Sequence, residues 1–334
     1  MVICAATGGG SQWNGERLQQ KPGLLTLRVV AMRYLAQGTH LYELRDMEDG
    51  VLPSAEAGAH IDLHLPNGLV RQYSLVIGEP GSRSYFIAVK QDTEGRGGSH
   101  WLHNNLRLEM LLEVGLPRNN FPLVSDAEQS VLIAGGIGIT PILSMVRELR
   151  ERGSVWELHY SCRSRSEMAF LEMLPKVPQV HLHLDDENDG AFLDLGRIVS
   201  AAPPAAHLYC CGPLPMLQAF EAASAGRMRE RVHVEYFKAP EPTAATRSFI
   251  VELARSGRTV VVPCGQSILE TLLDAGVNVP YSCSEGICGA CETVVLDGTP
   301  EHRDHILSEA ERATGRTMMI CCSGSKTDSL ILDL

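Results

Sequence analysis

From Leu24 onward the chain alternates apolar and polar positions in short bursts. "LLTLRVVAMRYL", "THLYELRDM", "AHIDLHLPNGLVRQYSLV" and "SYFIAVKQD" carry β-branched or apolar residues on a two-residue period. Turn formers such as Pro66-Asn67-Gly68 interrupt them. Strands this short and this closely spaced predict a small antiparallel barrel. "GSHWLHNNL" then opens a helical turn.

Around Arg118–Asn120 the period changes. "SVLIAGGIGITPILSMVRELRERG" reads as a buried strand, a glycine turn and an amphipathic helix. "VWELHYSCRS" predicts a second strand, "MAFLEML" (168–174) a helix, "QVHLHLDD" a third strand and "AHLYCCGP" a fourth, with "VHVEYF" closing the unit. Strands alternating with helices predict a parallel α/β domain. "KAPEPTAAT", rich in proline and alanine, reads as a linker. Beyond it, "RSFIVELARSGRTVVVPCGQSILETLLDAG" predicts two strands and a helix, and "CETVVLDG" and "MMICCSGS…LILDL" add strands. The expected organisation is therefore a flexible extension over 1–23, a barrel over 24–120, a nucleotide-type domain over 121–238, a linker over 239–246 and a third domain over 247–334.

Length and composition agree. A chain of 334 residues exceeds what one growing core sustains. A formal net charge of −11 argues against non-specific nucleic-acid binding and suits a partner with a basic patch. The longest apolar run, "VLIAGGIGITPILSMV", is too short and too broken by glycine and proline to span a bilayer. The N-terminus lacks the basic and apolar regions of a signal peptide. A cytoplasmic location is expected, where ten cysteines are thiols or metal ligands rather than disulfides.

"YSCSEGICGACETVV" spaces Cys283, Cys288 and Cys291 as C-x4-C-x2-C. Iron–sulfur, zinc and dithiol chemistry are all conceivable for such a cluster. Plant-type [2Fe–2S] proteins use this spacing with one distant cysteine, whereas zinc sites usually pair two C-x2-C units. Gly286, Gly289 and Ala290 leave room for a loop that wraps a cluster and aims its N–H groups at sulfur. The segment resembles the plant-type ferredoxin domain. That resemblance places the last ligand about 29 residues after Cys291. Cys321 meets this spacing, and Cys322 is then expected to point the opposite way along a strand. Cys264 is expected in the core or a turn.

"RQYSL" ends a barrel strand with Arg71, Gln72, Tyr73 and Ser74; "AVK" supplies Ala88 and Lys90, and "GRGGS" leads into a helix through Gly97, Gly98 and Ser99. Arginine pairs with phosphate, an aromatic ring covers a flavin face, and a glycine loop before a helix presents N–H groups to an anion. Together these motifs resemble the FMN domain of the phthalate dioxygenase reductase and vanillate O-demethylase reductase family. The resemblance implies Arg71, Gln72, Tyr73, Ser74 and Ala88 around the flavin. It implies Lys90, Gly97, Gly98 and Ser99 near its phosphate. The compact loop favours FMN over FAD.

"AGGIGITP" follows a strand and starts a helix, and "CCGP" ends a later strand. The pair resembles the pyridine-nucleotide domain of the ferredoxin–NADP reductase superfamily. It implies Gly136, Gly138, Thr140, Pro141, Cys211, Gly212 and Pro213 at the nicotinamide, with Cys211 bordering the hydride path and not acting as a nucleophile. Phe237 is the aromatic expected against the flavin, with Glu235 nearby. Ser74, Thr140, Cys211 and Phe237 are thus the residues expected at the reacting centre. Arg163 and Arg165 after the second strand would suit a 2′-phosphate, yet the family is mostly NADH-dependent. NADH is the expected donor, with NADPH as the alternative. Asp185 and Asp186 are expected in a solvated turn.

The resemblance covers about residues 24–334 and implies a multidomain α/β and β protein. Its parts are an antiparallel FMN-binding β-barrel, a parallel α/β nucleotide-binding domain and a C-terminal β-grasp plant-type ferredoxin domain. It implies an NADH-dependent reductase passing single electrons through a [2Fe–2S] cluster to a Rieske non-haem iron oxygenase, one acting on an aromatic acid. The metal ligands would be Cys283, Cys288, Cys291 and Cys321. From residue 247 onward, 7 Lys and Arg face 12 Asp and Glu, a net of −5 that suits a basic partner surface. A monomer on its own, with no nucleic acid or membrane partner, is expected. Two other readings are an iron–sulfur sensor or carrier with a vestigial flavin domain, and a reductase for another class of acceptor.

Overall fold

A computed structural model describes residues 23–77, 81–238 and 247–334. Most of the expected extension (1–23) and the expected linker (239–246) lie outside the described residues.

The first unit is a closed six-stranded barrel. Its strands are β1 (Leu24–Ala36), β2 (Thr39–Asp46), β3 (His60–His64), β4 (Val70–Ile77), β5 (Ser84–Lys90) and β6 (Leu111–Gly115), in the order β1-β2-β5-β4-β3-β6. All the pairings are antiparallel. Closure leaves no open sheet edge. Alternate residues point inward, so Leu27, Leu44, Ile61, Leu63, Ile87 and Val114 fill the interior. Gly68 takes a φ of 81° in the turn between β3 and β4, a conformation in which a Cβ would be strained. Helix α1 (Gly98–Asn105) follows β5 and plugs the barrel with Leu102.

The second unit is a parallel sheet in the order β11-β10-β7-β8-β9. It is built from β7 (Ser130–Gly135), α2 (Ile139–Arg152), β8 (Trp156–Cys162), β9 (Val180–Leu184), α3 (Leu195–Ala201), β10 (His207–Cys211), α4 (Leu214–Ser224) and β11 (Val232–Glu235). The central strand β7 is buried on both faces, as its unbroken apolar run requires. Its two faces feed two separate cores. Leu132 and Ala134 pack with α2 and with Ala36, Leu41, Val76 and Ala88 of the barrel. Val131 and Ile133 pack against α3 and α4.

One predicted element is absent. Residues 168–174 form turns, not a helix. Met168, Ala169, Phe170 and Leu174 are all buried in one core, the Ala169 carbonyl accepts a hydrogen bond from Tyr160 Oη at 3.2 Å, and Phe170 adopts a φ of 61°. Pro175 stops any continuation.

The third unit is a mixed sheet in the order β13-β12-β18-β14-β16, with a separate two-stranded pair β15-β17. Its elements are β12 (Phe249–Leu253), β13 (Arg258–Val262), α5 (Ile268–Asp274), β14 (Glu292–Asp297), β15 (Pro300–Glu301), α6 (Glu309–Thr314), β16 (Thr317–Met319), β17 (Gly324–Ser325) and β18 (Ser329–Leu332). The first and last strands, β12 and β18, run parallel side by side while α5 packs across them, the β-grasp arrangement. Reciprocal Ser-to-Glu hydrogen bonds cap α5 (Ser267 with Glu270) and α6 (Ser308 with Glu311).

Candidate functional site

A cleft of about 300 Å³ opens where the three units meet. One wall is β4, which contributes Arg71, Gln72, Tyr73 and Ser74, with Ala88 and Lys90 from β5 beside it. The floor is the glycine loop and the start of α1, with Gly95, Arg96, Gly98 and Ser99. Arg71 is fixed by donating to the Val70 carbonyl at 2.8 Å and the Arg96 carbonyl at 2.7 Å. A Cβ on Gly98 would lie 2.5 Å from Arg71 Cγ, so only glycine lets the arginine pass beside the helix start. Gly97 sits at the helix cap with a φ of 80° and does not itself line the cleft. Ser99 Oγ accepts from the Asp92 N–H at 3.0 Å. Lys90 Nζ lies 2.7 Å from Glu167 of the second unit. Burial pushes the Tyr73 phenol well above its ordinary pKa, so the ring stays neutral. Arginine, serine and the N-terminus of an eight-residue helix, converging below a buried aromatic strand, fit a phosphate attached to a flat ring system.

The second unit faces this cleft with Ile137, Thr140, Phe237 and Lys238. Thr140 is buried and donates to the Ile137 carbonyl at 3.0 Å, which closes the turn into α2. Phe237 is 39% exposed. Gly136, Gly138, Pro141, Cys211, Gly212 and Pro213 are not on the cleft wall. Gly138 packs backbone on backbone against Cys211 and Gly212. A Cβ on Gly138 would fall 2.2 Å from the Cys211 carbonyl oxygen, so the C-G-P turn occupies the room this glycine leaves. Gly136, with a φ of 54° and nothing within 4 Å of its would-be Cβ, is the glycine with open space. Cys211 is fully buried, and burial raises its thiol. It pairs in register with Glu235, whose carboxyl is pushed up to about 8 by burial. Arg165 is matched to Glu187 at 3.2 Å, and Asp185 and Asp186 start a short 3-10 turn after β9.

The four cysteines singled out by spacing come together. Cys283, Cys288, Cys291 and Cys321 are all buried. The Cys283 thiol meets those of Cys288 and Cys321, and Cys291 also meets Cys321. Hydrogen bonds from Cys288 and Cys321, and then from the Glu285 and Ile287 N–H groups, hold the Cys283 thiol far below its usual range. The Glu285 N–H lies 3.2 Å from Cys283 Sγ and the Ala290 N–H 3.4 Å from Cys288 Sγ. A closed pocket of four converging cysteines with N–H groups aimed at sulfur fits a [2Fe–2S] cluster.

Cys322 differs from expectation. Strand β16 ends at Met319, and Cys321 and Cys322 occupy the turn beyond it. Cys322 points under the loop, its sulfur 3.8 Å from the Met319 carbonyl. A Cβ on Gly286 would be 2.4 Å from that sulfur, so this glycine makes room for Cys322. Cys264 is exposed, in the turn after β13.

The cysteine loop is docked on the cleft by polar contacts that the motifs did not announce. Arg96 donates to the Cys283 carbonyl at 3.1 Å and lies 3.0 Å from Glu285, which itself lines the cleft. Asn120 donates to the Cys288 carbonyl at 3.1 Å. Asp62 accepts from Gln72 Nε2 at 3.0 Å, Arg118 Nη2 at 2.7 Å and Ser282 Oγ at 2.9 Å, so one carboxylate joins the barrel wall to the loop. His60 is buried beside it, and burial pulls its pKa down to about 4, leaving it neutral. Arg96 belonged to the quoted glycine loop. Asp62, Arg118 and Asn120 carried no signal, because their partners are distant in sequence.

Comparison with known proteins agrees with this geometry. Residues 251–325 match the family described as 2Fe-2S iron-sulfur cluster binding domain. The chain is 53% identical to phenoxybenzoate dioxygenase subunit beta of Ectopseudomonas oleovorans over 93% of its length and 97% of that protein. It is 47% identical to tetrachlorobenzoquinone reductase of Sphingobium chlorophenolicum, covering 93% of this chain and 98% of that one. It is 42% identical to vanillate O-demethylase oxidoreductase of Pseudomonas sp. strain HR199, covering 93% and 100%. Among solved structures, phthalate dioxygenase reductase, described as modular for electron transfer from pyridine nucleotides to [2Fe-2S], superposes with a TM-score of 0.70. It shares 38% identity over 93% of this chain and 98% of that one. An intact type IV self-sufficient cytochrome P450 monooxygenase gives a TM-score of 0.85 at 38% identity, where this chain spans 96% of itself and 43% of that longer protein.

Proposed function

Because the chain belongs to the family of oxygenase reductases that includes vanillate O-demethylase oxidoreductase and phthalate dioxygenase reductase, we propose that it is an NADH-dependent reductase component carrying FMN and a [2Fe–2S] cluster and delivering single electrons to a partner oxygenase. One observation carries the reading. A phosphate-and-ring cleft, a nucleotide-type turn and a four-cysteine pocket share walls within one chain, with Arg96 and Glu285 between cleft and cysteines.

FMN held in this cleft would supply hydride acceptance and one-electron release, chemistry that no side chain of the protein provides. The chain's residues position and screen. Arg71, Lys90, Gly97, Gly98 and Ser99 hold the phosphate. Gln72, Tyr73, Ser74 and Ala88 hold the ring against β4. Gly136, Gly138, Thr140 and Pro141 present the nucleotide from the start of α2, while Cys211, Gly212 and Pro213 fix that turn from behind. Phe237 shields the cleft from water and must yield when nicotinamide enters. Cys283, Cys288, Cys291 and Cys321 hold the cluster. Arg96, Asn120 and Asp62 keep its loop on the cleft wall.

NADH is the proposed donor, in keeping with the preference of the family; Arg165 has a partner in Glu187. The proposed acceptor is a Rieske-type oxygenase acting on an aromatic acid, with the acidic third unit docking on a basic face. The protein is proposed to be a cytoplasmic monomer between encounters; among the described residues, no helix is long and apolar enough to cross a membrane. A quinone acceptor is the second reading, favoured by the 47% identity to tetrachlorobenzoquinone reductase.

Anaerobic addition of NADH to the reconstituted protein tests this. Flavin absorbance should bleach and a rhombic [2Fe–2S] EPR signal should grow, faster with NADH than with NADPH. No response in either centre would refute the reductase reading, and equal rates with both donors would refute the NADH assignment. Reduction of candidate oxygenases set against tetrachlorobenzoquinone then decides the acceptor.

A further inference from the structure

The second unit holds a cluster of metal-ligating side chains apart from the cleft. His159 on β8 and His181 on the edge strand β9 are direct partners in the parallel register. Glu157 lies two residues before His159 on the same strand and therefore on the same face. One ligand atom from each of Glu157, His159 and His181 lies within 4.8 Å of the other two. The imidazoles are stacked with centroids 4.7 Å apart and planes 20° from parallel, and Glu157 Oε1 is 3.2 Å from His159 Nε2.

We propose that Glu157, His159 and His181 form a binding site for a divalent transition-metal ion of the zinc class. Two imidazoles and one carboxylate are the donor set of open, three-ligand zinc sites, in which the fourth position is left to water. Ligands of a tetrahedral zinc with bonds of about 2.0–2.2 Å stand about 3.3 Å apart, so the atoms must close by at most about 1.5 Å. His181 is exposed, and a side-chain rotation that takes its ring out of the stack on His159 would supply that movement. The neighbouring groups are already engaged. His183 pairs with the Ala191 carbonyl at 2.8 Å and lies 3.6 Å from Asp185, which accepts from Ser161 at 3.5 Å.

The consequence is mechanical. β9 is bonded to the sheet along one side only. A metal held by β8 and β9 cross-links that edge. The site lies in the first half of β8, whereas the cleft takes Ile137 and Thr140 from beyond the carboxyl end of β7. Metal binding is therefore expected to stabilise the nucleotide-type unit without changing NADH oxidation.

The test is equilibrium dialysis of the cluster-replete holoprotein against zinc chloride, with iron and zinc measured together. The expected result is one zinc per chain with iron unchanged, a raised thermal midpoint, and at least tenfold weaker binding in both Glu157→Gln and His181→Ala. Both substitutions are at partly or fully exposed positions, so the variants are expected to fold, and NADH-driven flavin reduction checks this. No zinc uptake, uptake only as iron is lost, or undiminished binding in both variants would overturn the proposal.

Discussion

Gly286→Ala tests how the cluster loop is built. Gly286 sits between Cys283 and Cys288 with a φ of 72°. An L-residue held there costs roughly 1–2 kcal/mol. The added Cβ also falls 2.4 Å from Cys322 Sγ and 3.2 Å from Asp304 Cα. Overpacking of that kind costs roughly a further 1–3 kcal/mol. The total, about 2–5 kcal/mol, falls on a β-grasp unit of fewer than a hundred residues, where each kcal/mol shifts the midpoint by about 4–8 °C. Loss of cluster absorbance on heating should therefore begin about 10 °C or more below the wild-type midpoint. Cys322→Ala removes the obstructing sulfur. In the Gly286→Ala/Cys322→Ala double variant the clash with the sulfur should vanish, leaving the backbone share, about 1–2 kcal/mol, and the milder contact with Asp304 Cα. Cys322→Ala alone should keep a full complement of iron, and Cys321→Ser should lose it. Iron content and EPR amplitude read these outcomes directly. A cluster that survives Cys321→Ser but not Cys322→Ala would refute the ligand set, and an unshifted Gly286→Ala midpoint would refute the packing argument.

Arg96→Ala removes the hydrogen bond to the Cys283 carbonyl and the contact with Glu285. Stopped-flow traces should show flavin reduction by NADH retained and the flavin-to-cluster step slowed about tenfold, the kinetic equivalent of about 1.4 kcal/mol; equal slowing of both steps would count against a positioning role. Gly138→Ala drives a Cβ into the Cys211 carbonyl and should cost about 1–3 kcal/mol and raise KM for NADH while the cluster signal stays intact. Glu235 carries a carboxyl pushed up to about 8. The folded state therefore binds the proton over a range in which the unfolded chain has released it, so the thermal midpoint should fall as pH rises from about 5 to about 8 and level off above. Glu235→Gln should flatten that slope, and a slope that persists in the variant would show that another group is responsible.

Much of this protein is legible in one dimension. The two-residue periods from Leu24 to Lys90 and the strand–glycine–helix run at 130–152 depend only on local alternation, and both formed where the pattern places them. The C-x4-C-x2-C spacing and the position of Cys321 also survive folding: β14 leads out of the cysteine loop and β16, paired antiparallel with it, brings Cys321 back. The 168–174 segment did not survive. Its apolar residues suit a helix, but Tyr160, the flanking packing and Pro175 select turns. Tertiary structure alone decided the rest. It sent Cys322 under Gly286 and filled the space beside Gly138 with the C-G-P turn. It brought Asp62, Arg96, Arg118 and Asn120 to a cysteine loop more than 160 residues away in sequence. "WELHY" spaces Glu157 and His159 two apart and "VHLHL" spaces His181 and His183 likewise, yet only the register of β8 on β9 sets His159 against His181. Local patterns fix which face a side chain presents. What that face meets is set by packing between distant segments, and a one-residue shift in register would change every such meeting.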